Sequence, residues 1–342
     1  MRRTLIIVFC VLAFLAAGWT AYWFVMADRA AEWIAVWAAP APGKAWHGSF
    51  TGSQVGGFPF SMDVRLSDVE VSWEGGSGGA VWQGDWLVAS FRPWSLAAFD
   101  IVLPPEQFVS VVEGGNLRMA ALAMASGTAH VAIADNRART VRAEFTDLVI
   151  DLAQNQAPVA AERLRFDVEA LDGEEEAWGI ALEVNGARFH SQVPEPFNGE
   201  VPLLVAELTL RGAVPEGPLE QRLAAWRDNG GVIDVHALKL VWPPLDIEGE
   251  GSLSLDREMR PLGAFTADVV GYREMIAAFE EMGRMTRNQA MMAAAGMDAI
   301  ASTDAQGNKR LNVPLTMQDG HLYVGPLMLG DLPPILPGDA AF

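Results

Sequence analysis

The chain is 342 residues long, 51% hydrophobic, and carries a formal net charge of −19. Such a length holds one large domain or two ordinary ones, with ample apolar surface for a core. The acidic balance excludes nucleic acid as a partner, because phosphate backbones are gripped by basic patches, and it disfavours a broad electrostatic hold on anionic headgroups.

Arg2 and Arg3 precede an uncharged stretch from Thr4 to Met26. About 20 apolar residues cross a bilayer's hydrocarbon core, so this stretch predicts a transmembrane helix. Trp19, Tyr22 and Trp23 gather at its far end in the manner of an interfacial aromatic belt. The two arginines put the N-terminus in the cytoplasm and the bulk of the chain across the membrane, in the periplasm if the cell is Gram-negative. The expected layout is a cytoplasmic stub at 1–3, a single-pass inner (cytoplasmic) membrane anchor at 4–26, a juxtamembrane helix and linker at 27–43, a β-rich periplasmic domain at 44–338 and a tail at 339–342. The competing reading is a signal peptide cleaved near Ala16-Ala17-Gly18. Its apolar region would run for about 7–15 residues, shorter than this one, so a retained anchor is favoured. Cys10, the single cysteine, lies inside the stretch, so no intrachain disulfide forms. Beyond Met26 the helix is expected to continue, with Trp33 and Trp37 one turn apart and packed on the domain, until Pro40 and Pro42 end it.

Gly57-Phe58-Pro59-Phe60 forms a strand-start motif. Proline lacks an N–H and favours the first residue of a strand or its edge, and the glycine permits a sharp bend before it. Phe58 and Phe60 are two apart, so in an extended chain they share a face that continues into Met62 and Val64. The motif is then either a hinge that plants an aromatic pair in the core or an aromatic lip on a lipid groove.

From there the dominant signal has period two, the mark of a strand with one buried face. Phe60, Met62, Val64 and Leu66 alternate with Ser61, Asp63, Arg65 and Ser67. Similar runs span 127–134, 139–150, 163–171, 177–184, 203–212, 232–241, 245–255, 263–270, 310–317 and 320–328. Turns are expected at Gly75–Gly79, Asp172-Gly173, Asn185-Gly186, 303–310 and Asp319-Gly320, since Asn-Gly and Asp-Gly between alternating runs mark hairpins. Three helical stretches interrupt the strands. The first is 104–114, opened by prolines suited to a first turn. The second is 217–231, with Leu219, Leu223 and Trp226 on one face and an Asn-Gly-Gly stop. The third is 272–302, with Tyr272, Met275, Ile276, Phe279 and Met282 on one stripe, then a second helix turning Met291, Met292 and Ala295 inward. The predicted class is α+β: a transmembrane helix, then a long, curved, mainly antiparallel sheet partly covered by a few helices. Residues 194–200 are the best place for two halves to meet.

Catalytic patterns are missing. The five histidines, at 47, 130, 190, 236 and 321, stand in no metal-binding spacing, and there is no nucleophile elbow or phosphate-binding loop. No cofactor is implied. Carboxylates are plentiful, so a carboxylate-based hydrolase stays open as a minor alternative. The methionines of 275–297 read either as an ordinary sheet-covering helix or as an adaptable lid over a greasy ligand. On the second reading Phe58, Phe60, Met275, Phe279, Met282 and Met291 line an apolar groove.

The pattern resembles the family of bacterial envelope proteins known as domain of unknown function 2125. The residues that carry the resemblance are Gly57-Phe58-Pro59-Phe60, IEGEGSLSLD at 247–256, RPLGAF at 260–265 and VPLTMQDGHLYVGPLMLGDLPPIL at 313–336. A more distant likeness is to anchored periplasmic β-proteins of the AsmA kind, whose long sheets with an apolar inner face are implicated in lipid handling. The first family carries no known activity; the AsmA likeness implies lipid handling, and with the anchor, the alternating strands, the Met-rich helices and the missing catalytic pattern it leads to the expectation of a non-enzymatic envelope protein that binds lipid or another amphiphile. The alternative is an assembly module contacting other envelope proteins. The expected partners are the inner membrane, through the N-terminal helix, a lipid ligand and envelope proteins.

Overall fold

The computed structural model describes residues 2–335 apart from short segments at 39–45, 76–77, 114–115, 136, 153–156, 172–175, 191–195, 216–218, 304–308 and 325–326. The expected turn at Asp172-Gly173, the start of the candidate junction at 194–200, most of the expected turn at 303–310 and the tail lie outside the described residues, as do the side chains of Trp37 and Leu219. The chain opens with α1 (Arg2–Ala38), one unbroken helix up to the last described residue before Pro40. Its window Phe9–Ile34 is long and apolar enough to cross a membrane.

The rest is one antiparallel sheet in which almost every strand pairs with its neighbour in sequence. β1 (Trp46–Ser49) and β2 (Gly52–Gly56) share one edge of β3 (Met62–Gly75), and β3 pairs with β4 (Gly78–Arg92). The expected glycine hairpin closes between Gly75 and Gly78. Next come β5 (Ser95–Leu103), β6 (Glu106–Glu113), β7 (Asn116–Ala123) and β8 (Ser126–Ala134). β5 and β6 lie along successive halves of β4, and β8 and β7 along successive halves of β9 (Arg137–Leu152). Each pair is thus one long strand broken in the middle, at Pro104-Pro105 and at Met124-Ala125, and the Met124 amide bridges the breaks by donating to the Pro105 carbonyl at 2.9 Å.

The predicted helix at 104–114 is therefore wrong. Its prolines mark a strand interruption, and the run that follows, Phe108-Val109-Ser110-Val111-Val112, has the β-branched character that suits a pleated surface. Gln107, buried at the break, accepts from Trp82 Nε1 at 2.6 Å and donates to the Pro104 carbonyl at 2.8 Å.

The meander continues through β10 (Val159–Ala170), β11 (Ala177–Arg188), β12 (Glu200–Arg211), β13 (Val232–Trp242), β14 (Leu245–Leu255) and β15 (Pro261–Val270). β17 (Lys309–Gln318) follows β15 in the sheet, flanked by the short β16 (Ser302–Thr303) and by β18 (His321–Val324), with β19 (Leu327–Asp331) at the far edge. β11 and β12 pair on both sides of 191–195, so the sheet runs on without interruption there. Asn185-Gly186 is not a turn. It lies inside β11, where Gly186 takes a φ of 59° and an added Cβ would meet the Glu162 side chain at 2.6 Å. Asp319 and Gly320 do form the expected turn, both with positive φ, as a tight hairpin requires.

Three further helices among the described residues complete the fold. α2 (Leu219–Asp228) buries Trp226, whose Nε1 donates to the Arg211 carbonyl at 2.7 Å, and ends at Asn229-Gly230-Gly231 as its sequence predicts. α3 (Tyr272–Glu281) starts at Gly271, where φ is 83° and an added Cβ would lie 2.2 Å from the Pro244 carbonyl oxygen. α4 (Arg287–Ile300) is capped by Thr286 and Gln289, which satisfy each other's backbone amides. The inward face of α4 is Ala290 with Ala293, Ala294 and Met297, not Met291, Met292 and Ala295, which face outward. Small alanines let α4 sit close, with Met297 the one methionine of this helix turned toward the sheet.

Two buried clusters hold the helices to the sheet. In α1, Trp23, Ala27, Ala30 and Ile34 recur on one face and pack on Met62, Val64, Leu66 and Val69 of β3 and Ala89 and Phe91 of β4. At the other end Tyr272, Ile276, Ala278 and Ala290 pack with Phe197 on Leu245, Ala267, Val269, Leu311 and Val313.

Candidate functional site

Cross-strand register converts the period-two sequence into continuous apolar rows. One row starts at Val64 and runs through Ala89, Ile101, Ala129, Ala143 and Phe166. It continues through Leu182, Ala206, Leu238, Gly249 and Ala267 to Val313. The next row runs from Met62 through Phe91, Phe99, Val131, Val141 and Val168 to Ile180, Leu208 and Val235. A third begins within the sheet, at Phe145, and passes through Leu164, Val184, Leu204 and Leu240 to Ile247. All lie on one face.

α1 covers this face at β3 and β4, and α3 with α4 covers it at β15 and β17. Between β8 and β13 the apolar side chains of these rows are half-buried or exposed, and none joins either buried cluster. Phe166, near the middle, is 38% exposed. Six strand positions at about 4.8 Å each leave an uncovered apolar strip roughly 30 Å wide between the helical ends.

The opposite face is wet and charged. Asp100 and His130 pair at 2.7 Å, Glu144 lies 3.4 Å from both Arg163 and Arg165, and Lys239 holds Glu248 at 2.6 Å. That last hydrogen bond pulls the Glu248 carboxyl below its ordinary range and pushes Lys239 up. Asp256 is also held low: burial opposes ionisation there, but hydrogen bonds from Arg260 outweigh it. Asp298 is low through hydrogen bonds from Arg273 and Tyr272. These three carboxyls stay ionised, which gives a general acid no support among them. His47 and His236 meet Ser72 and Thr209, as ordinary sheet residues do, while His321 meets Asp331 through Nε2 and leaves its buried Nδ1 without a partner. Among the described residues no group of three His, Cys, Asp or Glu is placed to hold a metal.

The six expected groove residues fall into two groups at opposite ends of the apolar face. Met275 packs against the α3–α4 core, Phe279 and Met282 sit at its rim, and Met291 points away from it. Phe58 and Phe60 stand at the α1 end, and neither enters the core as a strand pair. Residues 58–60 form a turn after Gly57, which has φ 93° and an added Cβ 2.3 Å from Ser61 Oγ, so Phe60 is thrown outward and is 74% exposed. Phe58 packs edge-on against Trp23 at 5.5 Å and stacks on Phe24 at 6.4 Å.

Around this turn α1 supplies a collar from the residues that the sequence reads as an interfacial aromatic belt. Trp19 Nε1 donates to the Pro59 carbonyl at 3.0 Å, Trp23 Nε1 to the Ser61 carbonyl at 2.8 Å and Tyr22 Oη to the Pro93 carbonyl at 2.9 Å. Trp94, in the turn between β4 and β5, lies 6.4 Å from Trp19 and is 59% exposed. Trp33 rests edge-on against Phe91 and Phe99, so this tryptophan packs on the domain as expected. Trp94 was missed; its signal is a Pro-Trp pair between two apolar runs.

Comparison with known proteins found no matching curated protein and no matching solved structure. One bacterial family does match, described as "Uncharacterized protein conserved in bacteria (DUF2125)", over residues 23–333, from the docked half of α1 to the last strand. With nearly the whole chain inside that match, the protein belongs to the DUF2125 family.

Proposed function

We propose that the protein is a single-pass inner-membrane protein whose periplasmic sheet holds lipid or another amphiphile on its open apolar face, in upkeep of the cell envelope and without catalysing a reaction. The observation that carries this reading is the set of apolar rows crossing the sheet, which, among the described residues, neither helix–sheet cluster covers between β8 and β13. Patches of this extent are uncommon on soluble monomers and mark contact with apolar partners. The uncharged, apolar stretch of α1 from Thr4 to Met26, preceded by Arg2 and Arg3, supports the anchor. The likeness to AsmA-type proteins supports the ligand class.

The test compares neighbouring positions on opposite faces. A photo-crosslinking residue replacing Leu182 should capture phospholipid in cells, read by mass spectrometry, while one replacing Ala181 should not. Leu182→Glu should lower co-purifying lipid by about tenfold, equivalent to about 1.4 kcal/mol. Capture of protein alone at Leu182 would replace this reading with the assembly module, for which the outward Met291 and Met292 offer a second apolar surface.

A further inference from the structure

We infer that the aromatic collar at the α1 end of the sheet is immersed in the phospholipid bilayer, so that the sheet stands in the membrane surface and not on a tether above it. The inference rests on the membrane anchor in the proposed function and adds where the domain sits relative to it.

Length is the first argument. α1 is free of the sheet only up to Gly18, since Trp19, Tyr22 and Trp23 are already bonded to the turns at 59–61 and 93. From Thr4 to Gly18 a helix rises about 22 Å at 1.5 Å per residue. A hydrocarbon core of about 30 Å needs roughly five residues more. Those residues, 19–23, are the ones clasped by the sheet, so the clasping turns lie at the same depth. The first charge after Arg3 is Asp28, beyond the collar.

Backbone satisfaction is the second argument. A loop lowered into an apolar layer must not carry unpaired carbonyls or amides. Pro59, Ser61 and Pro93 have their carbonyls capped by ring N–H and phenol donors from α1. The two prolines bring no N–H, and the amides of Phe60 and Ser61 turn back on the Gly57 carbonyl.

Surface chemistry is the third. Phe60, Trp94 and Phe24 are exposed, around an apolar helix that has no protein partner among the described residues before Trp19. Amphipathic aromatic rings at this level are what a bilayer interface accepts.

The test uses the full chain with Cys10→Ser, reconstituted in vesicles of phosphatidylethanolamine and phosphatidylglycerol. Single nitroxide labels are placed through Phe60→Cys, Trp94→Cys, Phe14→Cys and Met292→Cys, all at exposed positions. The ratio of collisions with oxygen to collisions with a water-soluble nickel chelate should be several-fold higher at 60 and 94 than at 292, and approach that at 14. Labels at 60 and 94 that match 292, with 14 in lipid, overturn the immersed collar and leave the anchor standing. A label at 14 that matches 292 overturns both.

Discussion

Trp23 shows how one side chain ties the helix to the sheet. Its ring is 3% exposed, packs on Phe58 and Met62, and spends its N–H on the Ser61 carbonyl. Trp23→Ala should cost about 3–5 kcal/mol, the range for large-to-small changes in a core. Trp23→Phe keeps much of the packing but leaves a carbonyl without its donor, for about 1–3 kcal/mol. Urea unfolding of the full chain in micelles measures both, and an unchanged midpoint for Trp23→Ala would show that α1 does not dock there. Gly271 is the second residue to probe. With a φ of 83° and the Pro244 oxygen in the place of a Cβ, Gly271→Ala should destabilise by more than about 1 kcal/mol, against the usual gain from removing a glycine.

Among elements, α3 and α4 form a clasp with a defined pH dependence. Asp298 accepts from Tyr272 at 2.6 Å and from Arg273 Nε at 2.8 Å. Because the Asp298 carboxyl is held below its ordinary value, the clasp is complete above the unfolded carboxylate value of about 4 and is lost as pH falls through the lowered folded value. Amide exchange in 272–300 should therefore quicken below about pH 4 relative to β9–β12, and Asp298→Asn should remove that acid step. The pair is partly exposed, so the effect is modest and shrinks in salt.

Most strands were legible because a face turned to a core or to the apolar strip writes period two into the chain, but β4 and β5 were not read although both face the α1 core. Nor was β7: its Leu117, Met119, Ala120, Ala121 and Leu122 favour helix, and only the neighbours β6 and β9 make it a strand. The segment 104–114 misled for the opposite reason, since its prolines imitate a helix start. The site was half legible: alternation marked the apolar face, but which parts the helices cover depends on contacts far apart in sequence.

On the scale of the molecule, α1 has two halves with different duties. Residues 19–38 are part of the fold, whereas 2–18 are not. A chain lacking residues 1–18 should stay folded, with strand-rich circular dichroism. One lacking 1–38 bares Met62, Val64 and Leu66 and should aggregate. Soluble, monomeric behaviour of the shorter chain would refute the division. An intact N-terminus in the mass of the mature protein would in turn separate a retained anchor from cleavage at 16–18.

The meander has one more consequence. Neighbours in space are neighbours in sequence from β8 to β15, so each new strand needs only the one before it. Loop closures stay short, and stability approaches a sum of adjacent interfaces. A sheet of this kind can therefore grow strand by strand in chain order, with docked α1 as the seed.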